Sequence, residues 1–397
     1  MKTLTSYNHT IYASYLGYIS QAIVNNFAPL LFLTFQSQLG LSLKSITTIT
    51  TANFLVQLTV DLISARYVDR IGYRRCLVAA HIFCALGLAG LAVLPGIFHD
   101  PYVGIMAGVV LYAIGGGLIE VLVSPVVEAC PTEKKEAAMS LLHSFYCWGH
   151  VAVVLLSTAF FRLAGIENWK IMACLWALIP AFNAVYYAKV PLYPITSEGH
   201  QIRFGGLIRN KVFWLVIVLM LCAGASEHAI AQWASSFAES ALNLSKTAGD
   251  LLGVCAFAVL MGTSRAFYGK YSEQIPLKKM MIFSAVLCIC CYCLASFTAS
   301  PMLGLLGCAV CGFSVGIFWP GTFSMAASAL PGGGTAMYAL MALAGDLGCS
   351  SGPTVVGLVA DSFGGNLKKG IAAALVFPTL MLSGIFLMKY KKQIPNK

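Results

Sequence analysis

Charge is what this chain has least of. Only 10% of its 397 residues are Asp, Glu, Lys or Arg, against about 25% in a soluble domain, so a water-facing globular surface cannot be built from it. Other absences narrow the function. No Gly-Lys-Ser/Thr follows the run Gly332 to Gly334, which excludes a phosphate loop, and no His-Glu-x-x-His occurs. A formal net charge of +10 comes without a Lys/Arg stripe interleaved with aromatics, so no nucleic-acid partner is expected. Cysteine is not scarce, at 14, but the thiols lie in or beside apolar stretches and make no extracellular disulfide framework. The densest group, Cys288, Cys290, Cys291 and Cys293, has no His or acid beside it, and neighbouring helical residues point in different directions. These cysteines read as packing residues, and neither a metal nor a cofactor is expected.

What the chain has instead is apolar length: 58% of it is hydrophobic, in stretches of about the 20 residues that cross a bilayer. Charged, Pro and Gly clusters divide it into candidate helices near 10–35, 46–65, 76–97, 102–127, 138–161 and 169–188, then 212–237, 247–267, 280–297, 302–330, 335–361 and 370–388. The first is too long for the core of a cleavable signal and should remain as a span. The expected fold is an all-α polytopic membrane protein of 12 transmembrane helices. The longest polar segment, Lys189 to Lys211, divides it into an N-terminal half, 1–190, a cytoplasmic linker, 191–211, and a C-terminal half, 212–397. Of the 25 Lys and Arg, all but Lys44, Arg162, Lys170, Lys246, Lys368 and Lys369 fall on the side of the termini, Arg265 counted among them. That excess puts both termini in the cytoplasm of a multi-pass cell (inner or plasma) membrane protein, with the lipid bilayer as its surroundings and a monomer as the expected state.

The segment after the second span carries Ala65, Asp69, Arg70, Gly72 and Arg74. It resembles the Gly-x-x-x-Asp-Arg-x-Gly-x-Arg signature of the major facilitator superfamily, with Ala65 for the first Gly. The resemblance implies two six-helix halves with inverted repeats within each. A carboxylate and guanidinium groups at a helix end can form charge-assisted hydrogen bonds, so Asp69, Arg70, Gly72 and Arg74 are read as a cytoplasmic latch. Four further segments are similar to the fucose-galactose-glucose:proton symporter group. They are Gly115 to Gly117 with Glu120 and Pro125; Leu141 to Phe145 with Trp148 and Gly149; Gly224, Ala225, Glu227, Ile230 and Trp233; and Pro320, Phe323 and Ser324. The chain departs from that group in Ser124, where an Asn precedes the Pro. It also lacks an acid beside Asn25 to Pro29 in the first span, so fucose specificity is not implied.

Acids within spans are costly, by about 2.5 to 3.5 kcal/mol each at the bilayer centre, and usually line a water-filled path. Glu120, Glu227 and Asp346 are therefore the candidate proton-coupling carboxyls, Glu120 foremost. His150 joins them, because Gly149–His150 and Gly345–Asp346 are both offset by 196 residues, as corresponding spans of two halves would be. Asp61 belongs with the cytoplasmic charges, and His81 and His143 read as structural. Gln21, Asn25, Asn26 and Gln232, with Trp148, Trp233 and Trp319, supply amides for hydroxyls and ring faces for C–H surfaces, which suits a neutral polyhydroxylated ligand. Proline breaks at Pro29, Pro125, Pro320 and Pro353 fit helices that move.

The expected function is proton-coupled uptake of a sugar or similar small polar solute by alternating access, not catalysis. A proton-antiport exporter of drugs or metabolites would use the same acids with the opposite coupling sign. An intramembrane enzyme or a channel is disfavoured, because the acids are scattered over three spans and no repeated filter loop occurs.

Overall fold

The computed structural model describes residues 5–195, 202, 204–234 and 255–388, and among these the regular structure is helical, with no strand. The first expected span is two helices, α1 (Tyr7–Leu30) and α2 (Phe32–Leu39), bent by 48°. Next come α3 (Leu43–Ile71), α4 (Tyr73–Val93), α5 (Pro101–Ala129), α6 (Lys135–Ala164) and α7 (Trp169–Tyr187). A short α8 (Phe204–Arg209) precedes α9 (Lys211–Ala231), α10 (Ala256–Tyr271) and α11 (Leu277–Phe297). The tenth span is divided into α12 (Pro301–Val315) and α13 (Phe318–Ala329), α14 (Gly334–Ser362) follows, and the last divides into α15 (Leu367–Ala374) and α16 (Val376–Leu387). Each of the twelve expected spans is thus met by helix among the described residues. Parts of the linker (196–201 and 203), the end of the seventh span (235–237) and the start of the eighth (247–254) lie outside them.

Eight helices among the described residues are long and apolar enough to cross a membrane, or nine if α1 and α2 form one span. Local chemistry sets their ends. The Asp100 carboxylate accepts from Tyr102 N at 2.9 Å, with Pro101 in the first turn of α5 where no N–H is needed. Asn210 caps α9 in the same way, accepting from Val212 N at 2.9 Å. Gly72 alone separates α3 from α4. It sits at φ 97°, a region open to glycine, so one helix ends and the next begins across a single residue. The bend after α1 follows Pro29, which has no N–H to continue the ladder.

Helix contacts divide the chain into two compact units, one of 1–131 with 148–195 and the other of 132–147 with 196–397. In the first, α4 lies along α5 and α7, and α1 and α3 lie on α5. A Cβ on Gly87 would strike Tyr112 N, so α4 and α5 pack backbone to backbone. In the second unit, α9 runs along α14 and α11 along α12. There a Cβ on Gly348 or Gly352 would strike the carbonyl oxygen of Leu221 or Ala225, and one on Gly224 that of Gly345. Small residues at such seams replace the hydrophobic drive that helices lack in lipid.

Candidate functional site

In the first unit, polar side chains converge from α1, α3 and α5. Tyr18, Gln21 and Asn25 recur at helical spacing on one face of α1. Gln21, buried at 3% exposure, donates from Nε2 to Glu120 Oε2 of α5 at 2.7 Å. Its own Oε1 is buried with no hydrogen-bond partner. One turn along α5, Ser124 pairs with Tyr18 Oη at 2.9 Å. One turn on from Gln21, Asn25 Oδ1 accepts from Gln57 Nε2 at 2.8 Å and from Asn53 Nδ2 at 3.3 Å, and Gln57 also donates to Asn53 Oδ1 at 3.1 Å.

The glycine run of α5 makes this convergence possible. A Cβ on Gly115 would strike the Ala80 carbonyl of α4, one on Gly116 would lie 3.2 Å from Val24 of α1 and 3.5 Å from the Gln57 amide, and one on Gly117 would lie 3.0 Å from Val60 of α3. Three consecutive glycines thus admit three neighbouring helices, and Glu120 follows them by less than a turn. Glu120 is half-buried, as is His150 of α6. The residue before His150, Gly149, is where α6 crosses α1, with Ala22 Cβ 3.0 Å from a Cβ placed there. Asn26 donates to the Ala22 carbonyl at 2.8 Å, so its amide is engaged with its own helix. Trp148 is exposed.

A different cluster ties α1 to α4 and α7. Asn183 donates to the Ala13 carbonyl at 2.9 Å and to His81 Nε2 at 2.8 Å, and His81 Nδ1 meets the Leu77 carbonyl at 2.7 Å. Both residues are fully buried, and His81 is held as a structural histidine. At the α3–α4 turn, Asp69, Arg70 and Arg74 are exposed. Arg74 donates to the carbonyls of Tyr187 at 2.9 Å and Ala188 at 3.0 Å, placing a cation on the orphan carbonyls that end α7. Asp61 lies a further two turns back on α3 and is fully buried.

The second unit corrects the charge tally. Arg265 is not a loop cation: it stands within α10 at 3% exposure. Its Nη2 reaches Glu227 Oε2 of α9 at 3.4 Å, its Nη1 donates to the His143 carbonyl at 3.1 Å and Cys147 Sγ at 3.0 Å, and its Nε donates to the Gly316 carbonyl at 2.8 Å. The last bond has a sequence cause. Pro320 has no N–H to offer the carbonyl four residues before it, so Gly316 is left without a helical donor where the tenth span breaks, and Arg265 supplies one. Removing Arg265 from the termini-side count leaves the direction of the excess unchanged. The signal that could have marked it was its position inside a candidate span, 247–267, where an arginine needs a partner.

Asp346 of α14 is half-buried, and the adjacent Gly345 makes room for the Trp319 ring. Trp319 packs with Phe323 at 6.3 Å between ring centres, and Phe323 stacks on Tyr338 at 5.4 Å. The Trp233 indole N–H is spent on the Pro353 carbonyl at 3.2 Å, and Gln232 is exposed just past the end of α9. Sequence reasoning thus named Gln21, Asn25 and Glu120, which the fold brings together, but not Asn53, Gln57 or Arg265, which complete the two clusters.

The Major Facilitator Superfamily model matches residues 14–353. No curated protein matches the sequence. Among solved structures, the chain is similar to the fucose:proton symporter FucP of E. coli, at 14% identity and a TM-score of 0.79, covering 97% of this chain and 100% of that one. It is similar also to the proton:xylose symporter XylE bound to 6-bromo-6-deoxy-D-glucose, at 13% identity and 0.80, covering 96% and 94%. A third is the human organic anion transporter MFSD10, at 15% and 0.71, covering 96% and 99%.

Proposed function

The chain belongs to the Major Facilitator Superfamily, and from that membership we propose that it takes up a sugar or similar small neutral solute together with protons, by alternating access. The observation that carries this reading is the contact between Gln21 and Glu120 at 2.7 Å. An amide can serve both protonation states of a carboxyl: its N–H₂ donates to the carboxylate, and its C=O accepts from the protonated acid. Gln21 Oε1, buried without a partner, is the acceptor the protonated state calls for. Beside it, Asn25, Asn53 and Gln57 supply amides of the kind that bind hydroxyls, with no net charge, which suits a neutral ligand. The solved structures of two sugar:proton symporters with this fold favour the same reading.

In this mechanism Glu120 takes a proton, Gln21 turns its amide to the new state, and substrate binds on the amide side before the halves exchange access. Release of solute and proton on the other side returns the carboxylate to the Gln21 N–H₂. The test is transport in proteoliposomes with an imposed pH gradient, using radiolabelled hexoses, pentoses and polyols. An inward proton gradient should drive accumulation that a protonophore abolishes. Solute driven outward by that gradient would instead make the protein an exporter.

A further inference from the structure

On the face of α10 opposite Arg265, a crevice of about 360 Å³ runs between α10, α11 and α12, lined by Phe267, Ile275, Lys279, Met280, Phe283 and Phe313. Five of these six residues are apolar. Phe283 is 55% and Phe267 38% exposed, so the crevice opens on the outside of the second unit. In a membrane-spanning chain such an apolar surface faces acyl chains. The mouth is cationic. Lys279 is exposed and has no partner among the described residues, whereas its neighbour Lys278 donates to the Met388 carbonyl at 2.8 Å. The acid of the adjoining turn, Glu273, is already paired with Lys134 at 3.0 Å, and Lys270 lies over the Tyr271 ring at 5.3 Å. Lys279 precedes Phe283 by one turn on the same face of α11, so an ammonium stands about 6 Å along the helix from the apolar slot. That is the order of phosphate and acyl chain in a lipid.

We propose that this crevice is a binding site for an anionic phospholipid, one acyl chain lying against Phe267, Phe283 and Phe313 and the phosphate held by Lys279. Basic positions between membrane helices recognise such headgroups, at a gain of roughly fivefold in affinity for each Lys near the surface. The crevice shares no residue with the Glu120 and Glu227 clusters, so it does not depend on the transport reading.

The experiment is native mass spectrometry of the purified full chain titrated with dioleoylphosphatidylglycerol or dioleoylphosphatidylcholine. The wild type should retain the anionic lipid in preference. Lys279→Gln should weaken that retention about fivefold, Lys279→Arg should keep it, and Ile275→Trp, which fills the slot, should reduce binding of both lipids. Each variant's thermal unfolding in detergent identifies any that is misfolded. Equal retention of the two lipids by the wild type, or unaltered binding in both Lys279→Gln and Ile275→Trp, would overturn the proposal. Displacement of the lipid by glycerophosphoglycerol, the headgroup without chains, would also overturn it, since it would make the site one for a soluble phosphate.

Discussion

Glu120 and Glu227 are both acids in spans, yet their surroundings differ. Glu120 meets a neutral amide that tolerates gain and loss of its proton. Glu227 faces a guanidinium whose other donors are fixed on Gly316, His143 and Cys147. Glu120→Gln keeps the shape and fixes the neutral state. It should therefore abolish accumulation against a gradient while leaving substrate exchange across vesicles measurable. Surviving accumulation with unchanged pH dependence would move coupling to another group, His150 or Asp346 first. Around Arg265 the prediction concerns stability. Arg265→Met strands a buried carboxylate and a broken helix's carbonyl, and should cost about 3 to 5 kcal/mol. In thermal unfolding, the Glu227→Gln/Arg265→Met double variant should stand closer to wild type than Arg265→Met alone, since no buried charge is then left unpaired. These contacts were only partly legible in the sequence. An acid in an apolar run stands out, so Glu120 and Glu227 were evident. Arg265 was not, because an arginine near the end of a candidate span reads as a positive-inside loop residue until its neighbours are known. Asn53 and Gln57 were hidden for another reason: uncharged amides hardly alter hydropathy.

At the scale of helices, apolar runs were sufficient to place a helix at each expected span among the described residues, because in lipid the backbone must bond to itself and the helix follows from the run. Breaks within spans were less legible. Pro29 and Pro320 marked where helices lose donors, but which break bends and which is bridged depends on partners from other helices. Gly316 is bridged by Arg265, while α1 and α2 diverge by 48°. Glycines show the same dependence. Gly348 and Gly96 look alike in sequence, yet a Cβ on Gly348 would strike the Leu221 carbonyl, and one on Gly96 would meet nothing within 4 Å. Gly348→Ala should thus push α9 from α14 at a cost of about 1 to 3 kcal/mol, lowering the unfolding temperature of the purified protein. Gly96→Ala should leave it unchanged. Equal effects would mean that the α9–α14 seam yields to a methyl group.

Across the whole molecule, charge outside the spans sets orientation, and the prediction turns on two short turns. Glu167 sits in the turn between α6 and α7, and Glu273 in the turn between α10 and α11; both are exposed. From the termini-side excess of Lys and Arg, kept even without Arg265, the Glu273 turn is expected in the cytoplasm and the Glu167 turn outside. The pairing of Lys134 with Glu273 at 3.0 Å joins two turns that this arrangement assigns to one side, which an odd miscount of spans between them would forbid. Two variants, Glu167→Cys and Glu273→Cys, read this out in intact cells with a membrane-impermeant maleimide, scored against the background of the native cysteines. Labelling should rise above background for Glu167→Cys alone, and for Glu273→Cys only once the cells are opened. The reverse pattern would invert the protein in the membrane and overturn the orientation read from its charges. Labelling of both in intact cells would contradict the three spans counted between them, on which the two-half reading depends.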